Sequence, residues 1–370
     1  MNSKKYTISK KAKELGFQLI GYTNPIIKQS DKKRYKVFLN KNFHGEMNWL
    51  NKQYELKSKP KKLWKDVKTI LILGINYAPK ENPKILDYEK NKANISVYAR
   101  NKDYHTVIKK KLIILQKYLD EKFSIKSKCF VDSSPVFEKA LAQYAGLGWI
   151  GKHTNLVSKK IGSWFFLSEL FLSEKIDADN PEINNCGNCT SCIESCPTQA
   201  FDSEYNLDAR KCISYLTIEH KGVFPMSLRK KIGNKIYGCD DCLSVCPWNK
   251  FSEITSEKEF FAKKTLMNPE LKKFLVLKEC NFNFFFQKSP IKRIGWVRFM
   301  RNVIIATGNS QNKDLVAYLI KFLDSEYPIL RGACIWSLKQ LIAIKDFNYL
   351  KKKFVSKERN SYVKFEWEHN

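Results

Sequence analysis

Two runs of apolar residues, Thr69 to Tyr77 and Ser163 to Leu172, read as strands, while polar and apolar positions elsewhere fall into helical spacing. A helix opens the chain around Lys10 to Gly16, and another is expected over Val107 to Phe123. A third is expected after Asp132, where Ser134 can cap, Pro135 suits the first turn and Gly146 can end the helix. Its apolar positions Val136, Ala140, Leu141 and Tyr144 recur at helical spacing. Residues 1–175 therefore read as mixed α/β (α+β). From about residue 295 the pattern changes to helical pairs, RFMRNVIIATGN and KDLVAYLIKFLDSEYPILRGACIWSLKQLIA, with Gly308, Asn309 and Pro328 as breaks between amphipathic runs. One or two units of a helical solenoid are expected there.

With 370 residues, 43% of them hydrophobic, the chain can bury a sizeable core and form two or three domains. The N-terminus lacks the apolar core of a signal peptide, and no stretch approaches the roughly 18 apolar residues of a membrane span. A cytoplasmic protein with no membrane partner is expected. The formal charge of +29 favours a polyanion such as nucleic acid, yet only nine of the 66 basic residues are Arg, so part of the excess reflects a Lys-rich composition. Residues 1–100 carry most of that excess, and residues 151–200 carry slightly more acid than base.

Eleven cysteines are too few for a disulfide scaffold of this length, and eight of them fall in two tight groups within a Cys-rich insert, residues 176–250. Cys186, Cys189, Cys192 and Cys196 are spaced C-x2-C-x2-C-x3-C and followed by Pro197, the run found in bacterial ferredoxins. Cys239, Cys242 and Cys246 with Pro247 form a second group, and Cys212 lies upstream of it. Because the fourth Cys of such a run reaches across to the other cluster, Cys186, Cys189, Cys192 and Cys246 are assigned to one [4Fe-4S] cluster. Cys196, Cys212, Cys239 and Cys242 are assigned to the other. A pair of zinc sites is the alternative, but zinc ribbons do not call for this spacing. Cys129, Cys280 and Cys334 are expected as small buried hydrophobes.

Gly146, Gly148 and Gly151 spell G-x-G-x-x-G, but they follow a helical stretch and lead toward a strand, the reverse of a dinucleotide fingerprint. Two readings stay open: a loop that ends a helix, or a bare backbone that a large flat ligand can approach.

Several segments together resemble the epoxyqueuosine reductase family: Asp132 with the SSPVFEKALAQYAGLGWIGKHTNLV that follows it, GSWFFLSELFL, CGNCTSCIESCPTQAF, RKCISYLTIEHKG and KIGNKIYGCDDCLSVCPWNKF, with YARNKDYH upstream. The resemblance implies a cobalamin-binding reductase domain (1–175) shared in architecture with reductive dehalogenases. It also implies a ferredoxin-like domain with two [4Fe-4S] clusters (176–250), a connecting segment (251–294) and an all-α HEAT-like repeat (295–370). The implied activity removes the epoxide oxygen of epoxyqueuosine at the wobble position of tRNA, the last step of queuosine formation, and consumes two electrons and two protons. An external electron donor is needed, and a monomer is expected.

Carried over by motif, Asp132 corresponds to the family's proton donor, although a position just ahead of a helix N-terminus favours the carboxylate. The implied cobalamin pocket is lined by Lys57, Ser96, Asp132, Lys139, Ile150, His153, Leu156, Leu167 and Ser214, with His105 at its border. His153 stands where the family more often has Asn, and Lys57 replaces an Arg. For tRNA, Lys292, Arg293, Arg298 and Arg301 place three of the nine arginines within nine positions, a residue suited to phosphate. The rival readings are a dehalogenase-like enzyme of small molecules and a bare electron-transfer or tRNA-binding module.

Overall fold

The two apolar runs become neighbouring strands because each is apolar enough to be covered on both faces. The computed structural model describes residues 3–369 and divides into two compact units. The first comprises the chain through Glu81, Lys102–Arg210 and Asp241–Phe261; the second comprises Asn82–Asn101, Lys211–Asp240 and the chain from Ala262 onward. The Cys-rich stretch is thus shared, with Cys212 and Cys239 in the second unit and its other six cysteines in the first.

In the first unit the strands are β1 (Leu19–Thr23), β2 (Thr69–Asn76), β3 (Ser127–Phe130), β4 (Trp149–Ile150), β5 (Leu156–Val157) and β6 (Phe165–Leu172), with a further short pair, Phe201–Ser203 and Asn206–Leu207. The main sheet runs β1-β2-β6-β3 and is antiparallel throughout, with Thr69 opposite Leu172 and Asn76 opposite Phe165. Every residue of β2 is buried. β4 and β5 form a separate small hairpin.

Helices of this unit include α1 (Ser3–Glu14), α2 (Tyr104–Phe123) and α3 (Glu138–Tyr144), besides Gln29–Asn40 and several single-turn helices. Helix α2 starts where Asp103 accepts from the His105 backbone N–H at 3.0 Å, and it buries Val107, Ile108, Leu112, Leu115 and Leu119 along one face. Helix α3 is shorter than the sequence predicts. Asp132 takes φ 48°, Ser133 N–H turns back to the Val131 carbonyl at 2.5 Å, and Val136 N–H to that of Ser134. Ser134 and Pro135 therefore belong to a tight turn, and the helix begins at Glu138 with no side-chain cap. Gly146 does end it, at φ 74°, with Leu147 N–H bonded to the Ala142 carbonyl and Gly146 N–H to that of Gln143. Leu141, Ala142 and Leu147 then pack with Ile70, Ile72 and Phe171 in the unit's core.

The second unit carries α4 (Gly295–Asn309), α5 (Pro328–Leu341), α6 (Ile344–Val355) and α7 (Ser361–His369). Pro328 occupies the first turn of α5, as a proline can. Helix α4 ends at Asn309, where a break was expected, and Gly308 lies in its last turn. A Cβ on Gly308 would come 2.8 Å from the Ser337 Cα of α5, so glycine lets the two helices touch. Cys334 is buried as expected, Cys129 partly so, and Cys280 is exposed. Lone small side chains at a helix surface need no burial, and Cys280 makes no core contact that would demand it.

Of the basic residues singled out for tRNA, Arg301 is an interior residue, 1% exposed. Its guanidinium donates to the carbonyls of Leu216, His220 and Gly222 and lies 4.1 Å from the Phe224 ring. Burial with its donors spent on carbonyls leaves none for phosphate. Arg298 likewise donates to the carbonyls of Ile294 and Ile218, whereas Lys292 and Arg293 are exposed, the latter paired with Glu219 at 2.8 Å. Arg301→Ala strips three buried carbonyls of a charged donor, and we expect a loss of about 3 kcal/mol or more in unfolding free energy by urea titration.

Candidate active site

Three elements of the first unit deliver polar side chains to one place: the turn after β3, the start of α2 and the start of α3. Asp132 Oδ2 accepts from the Tyr104 hydroxyl and lies 3.5 Å from His105 Nε2. His105 Nδ1 is 2.7 Å from Asp103 Oδ1, so one imidazole joins two carboxylates. Tyr104 is held flat against Phe166 of β6 at 4.2 Å between centroids, and Phe166 stacks in turn on Tyr77. The sheet thus fixes the ring that fixes Asp132.

Desolvation works against a charged His105, but hydrogen bonds and the charges of Asp103 and Asp132 raise it to about 9. At neutral pH it is an imidazolium. Desolvation would push Asp132 up, yet the hydrogen bonds from His105 and Tyr104 and the nearby charges of His105 and Lys139 hold it below the ordinary carboxylate range. The sequence assigned that preference to a helix N-terminus; α3 starts six residues later, and the imidazolium and phenol hold the charge instead.

Behind Asp132 stand two further carboxyls that the motif did not mark. Glu138 accepts from the Asp132 backbone N–H at 2.7 Å, and burial together with the Asp132 charge pushes it up to about 7. Glu169, in the middle of β6, is fully buried and raised well above its ordinary value by desolvation and by Glu138. Its one sequence signal is a lone acid in the apolar run FFLSELFL. Lys57 lies 5.5 Å from the Phe137 ring and 5.6 Å from that of Tyr35; desolvation lowers it, opposed by Glu138, Asp132 and Glu169.

Lys139 donates to the Thr154 carbonyl at 2.9 Å and to Asn155 Oδ1 at 2.8 Å. The turn Gly151–Asn155 that receives it also carries Lys152 and His153, which line a cavity of about 120 Å³ together with Cys186, Cys189, Cys192, Cys246, Pro247 and Trp248. Trp149 Nε1 donates to Cys186 Sγ at 3.3 Å, and its ring packs edge-on against Trp248. Desolvation and the charges of Cys246, Cys186 and Cys189 push Cys192 up to about 11. Four thiolates so placed ionise together only with a cationic centre between them. Among the described residues no three His, Cys, Asp or Glu side chains are set to hold a single metal ion; these thiols surround a void. His153 Nδ1 accepts from the Asn155 N–H, so its proton is on Nε2, and that buried N–H has no acceptor in the protein. Desolvation and the Lys139 charge lower this imidazole to about 4, so it is neutral.

Of the other residues assigned to cobalamin, Ile150 and Leu167 lie partly exposed at the edge of the core that contains Leu156. Leu156 is buried, and its side chain offers no open face. Ser96 and Ser214 belong to the second unit: Ser96 Oγ donates to Asp240 Oδ1 at 2.6 Å, and Ser214 sits in the short helix Ile213–Ile218. The glycine loop is decided by the chain's own packing. A Cβ on Gly148 would come 2.0 Å from the Val157 carbonyl oxygen, and one on Gly151 2.9 Å from the Val157 side chain. Gly148 and Gly151 are thus required by the packing of the β4–β5 hairpin. Asp132 and Lys139 are solvent-exposed although protein surrounds them closely, with Ile150, Leu167 and Phe137 at the edge. Exposed polar groups bordered by partly exposed apolar side chains suit a broad ligand like a corrin.

Residues 57–133 match the family model described as epoxyqueuosine reductase QueG, DUF1730, and residues 185–249 match the 4Fe-4S double cluster binding domain. The epoxyqueuosine reductase of Escherichia coli (strain K12) is 37% identical over 338 residues, covering 89% of this chain and 87% of that one. The chain belongs to the epoxyqueuosine reductase family. It is accordingly an oxidoreductase with a double-cluster domain. Two solved epoxyqueuosine reductases share the fold. One, in complex with an epoxyqueuosine-modified tRNA-Tyr stem loop, superimposes with a TM-score of 0.89 at 28% identity, covering 98% of this chain and 96% of that one. The other, from Bacillus subtilis with its catalytic aspartate loop swung out of the active site, gives 0.88 at 27%, covering 98% and 97%. Among the described residues no helix is long and apolar enough to cross a membrane.

The His105–Asp132 pair has a testable pH signature. Folding raises the His105 pKa from 6.5 to about 9, so the pair stabilises fully below the lower value and loses that effect as pH rises through the upper one. By NMR, the His105 ring should titrate near 9, and Asp132→Asn should move its midpoint down.

Proposed function

We propose that this chain reduces epoxyqueuosine to queuosine at the wobble position of tRNA, with Asp132 as the proton donor, in the cytoplasm and as the last step of queuosine formation. The observation that carries the reading is the Gly151–Asn155 turn. It grips Lys139 beside Asp132 on one side and lends Lys152 and His153 to the four-thiol cavity on the other. An acid site and an electron-carrier site are thereby built on one short segment. The tRNA stem loop in a solved relative supports the substrate class.

The reaction takes two electrons and two protons, and the epoxide oxygen leaves as water. Cys186, Cys189, Cys192 and Cys246 would hold one cluster, and Cys196, Cys212, Cys239 and Cys242 would hold the other, a reading that rests on their spacing; the double-cluster domain model over residues 185–249 supports two clusters. Lys57, Lys139, Ile150, His153 and Leu167 would border cobalamin, which supplies a cobalt able to reach Co(I). Asp132 would give its proton to the departing oxygen. Tyr104 and His105 orient that carboxyl and keep it ionised until substrate closes over it, when loss of water favours the protonated form. Lys292 and Arg293, still exposed, would meet tRNA phosphates, so binding should weaken as salt rises. The C-terminal helices would form the HEAT-like repeat, and an external one-electron donor is required.

Asp132→Asn should keep iron, sulfide and corrinoid after anaerobic reconstitution yet lose turnover of an epoxyqueuosine stem loop by about 100-fold or more. Retained turnover would sink the donor role. His153→Ala removes a buried N–H at the thiol cavity, and the potential of a cluster there should fall by on the order of tens of millivolts in an EPR redox titration.

A further inference from the structure

Glu169 has no obvious means of being ionised where it stands. Its neighbours across the sheet are Ile72 and Phe130, none of its surface reaches solvent, and among the described residues no N–H or O–H donor reaches either carboxyl oxygen. What faces it is the carboxyl of Glu138, the first residue of α3. Two carboxylates held side by side, one of them cut off from water altogether, repel strongly. One proton between them removes the repulsion and gives Glu169 the donor it lacks. The charges that face this pair are Lys57 from the helix Tyr54–Ser58, Asp132 from the turn after β3 and Lys139 from α3. With one shared proton, the pair carries a single negative charge, and Lys57 offsets it. Glu138 already touches the donor residue, through the Asp132 backbone N–H.

We infer that Glu138 and Glu169 hold one proton between them and use it to recharge Asp132, so that the site delivers both protons its reaction consumes. The inference rests on the epoxide-reductase reading. In balance, both C–O bonds of the epoxide break, the two carbons form the alkene, and the oxygen leaves as water with two protons. The two electrons come from the external one-electron donor. Asp132, protonated from solvent as substrate closes over it, gives the first proton, takes the pair's proton, and gives the second. One proton from solvent then restores the pair, and Asp132 is left as the carboxylate. Glu138 and Glu169 are positioning and supply residues here, since neither touches the substrate in this scheme.

The first test needs neither cofactor nor tRNA. Infrared spectra of the cofactor-free chain at pH 7 should contain a protonated-carboxyl C=O band that fades as pH rises, is missing in Glu169→Gln and, with Glu138 no longer sharing the proton, is displaced in frequency in Glu138→Gln. Absence of that band in the unsubstituted chain overturns the shared proton. The second test follows single turnover of a stem loop by reconstituted enzyme against pH. Glu138→Gln should be slowed tenfold or more with stem-loop affinity unchanged and should lose the alkaline limb, while Glu138→Asp should regain both. A pH profile for Glu138→Gln that matches the unsubstituted enzyme overturns the supply role, even with the band present. If the unsubstituted enzyme shows the band but turns over no epoxide, the reading of the reaction fails and the pair stands. Should Glu169→Gln not fold, the Glu138 variants and the unsubstituted spectrum still decide.

Discussion

Three carboxyls are gathered beside the first unit's sheet, and the candidate site depends on their mutual repulsion being answered locally. Asp132 is met by the His105 imidazolium and the Tyr104 phenol, Glu138 by the Asp132 backbone N–H, and the Glu138–Glu169 pair by Lys57. Each answer comes from a different element, so the arrangement depends on how β3, β6, α2 and α3 are packed together. Glu169, fully buried, is the carboxyl for which an unanswered charge is most costly. The strain is visible in the backbone as well, since Asp132 holds a left-handed φ that a non-glycine residue rarely takes.

The thiol cavity obeys the same constraint with the opposite remedy. No lysine or arginine is bonded to Cys186, Cys189, Cys192 or Cys246 among the described residues. Burial and mutual charge discourage ionisation at Cys192, and the natural relief is a cationic cluster. Trp149 and His153 then supply N–H donors of the kind that tune cluster potential, one bonded to sulfur and one without a partner in the protein. The turn from Gly151 to Asn155 touches both sites: Lys139 donates to its Thr154 carbonyl and Asn155 side chain, and its Lys152 and His153 line the thiol cavity.

Much of this was readable before any fold. The two strands, helix α2, the helix end at Gly146 and the family's sequence segments all follow local rules of periodicity, capping and spacing. Where the reading failed, a local rule was overruled by neighbours distant in sequence. Ser134 and Pro135 have the chemistry of a helix start, but the turn that aims Asp132 takes them. Arg301 has the chemistry of a phosphate contact, but carbonyls some 80 residues upstream take its guanidinium. Gly308 reads as a breaker and serves as a contact between helices. Glu169 gave almost no signal, because a single acid in an apolar strand has no partner that spacing can identify.

By itself, then, the sequence determined the identity of the reactive groups: the cysteine spacing, the aspartate that precedes Ser133, Ser134 and Pro135, and the family that contains both. Those depend on residue type and short separation, which the chain carries in one dimension. The tertiary structure alone decided which charge faces which. Protonation at Asp132, His105, Glu138 and Glu169 is set by burial and by groups more than thirty residues away in some cases, as Glu138 and Glu169 are from each other, and electrostatic energy depends on distance through space.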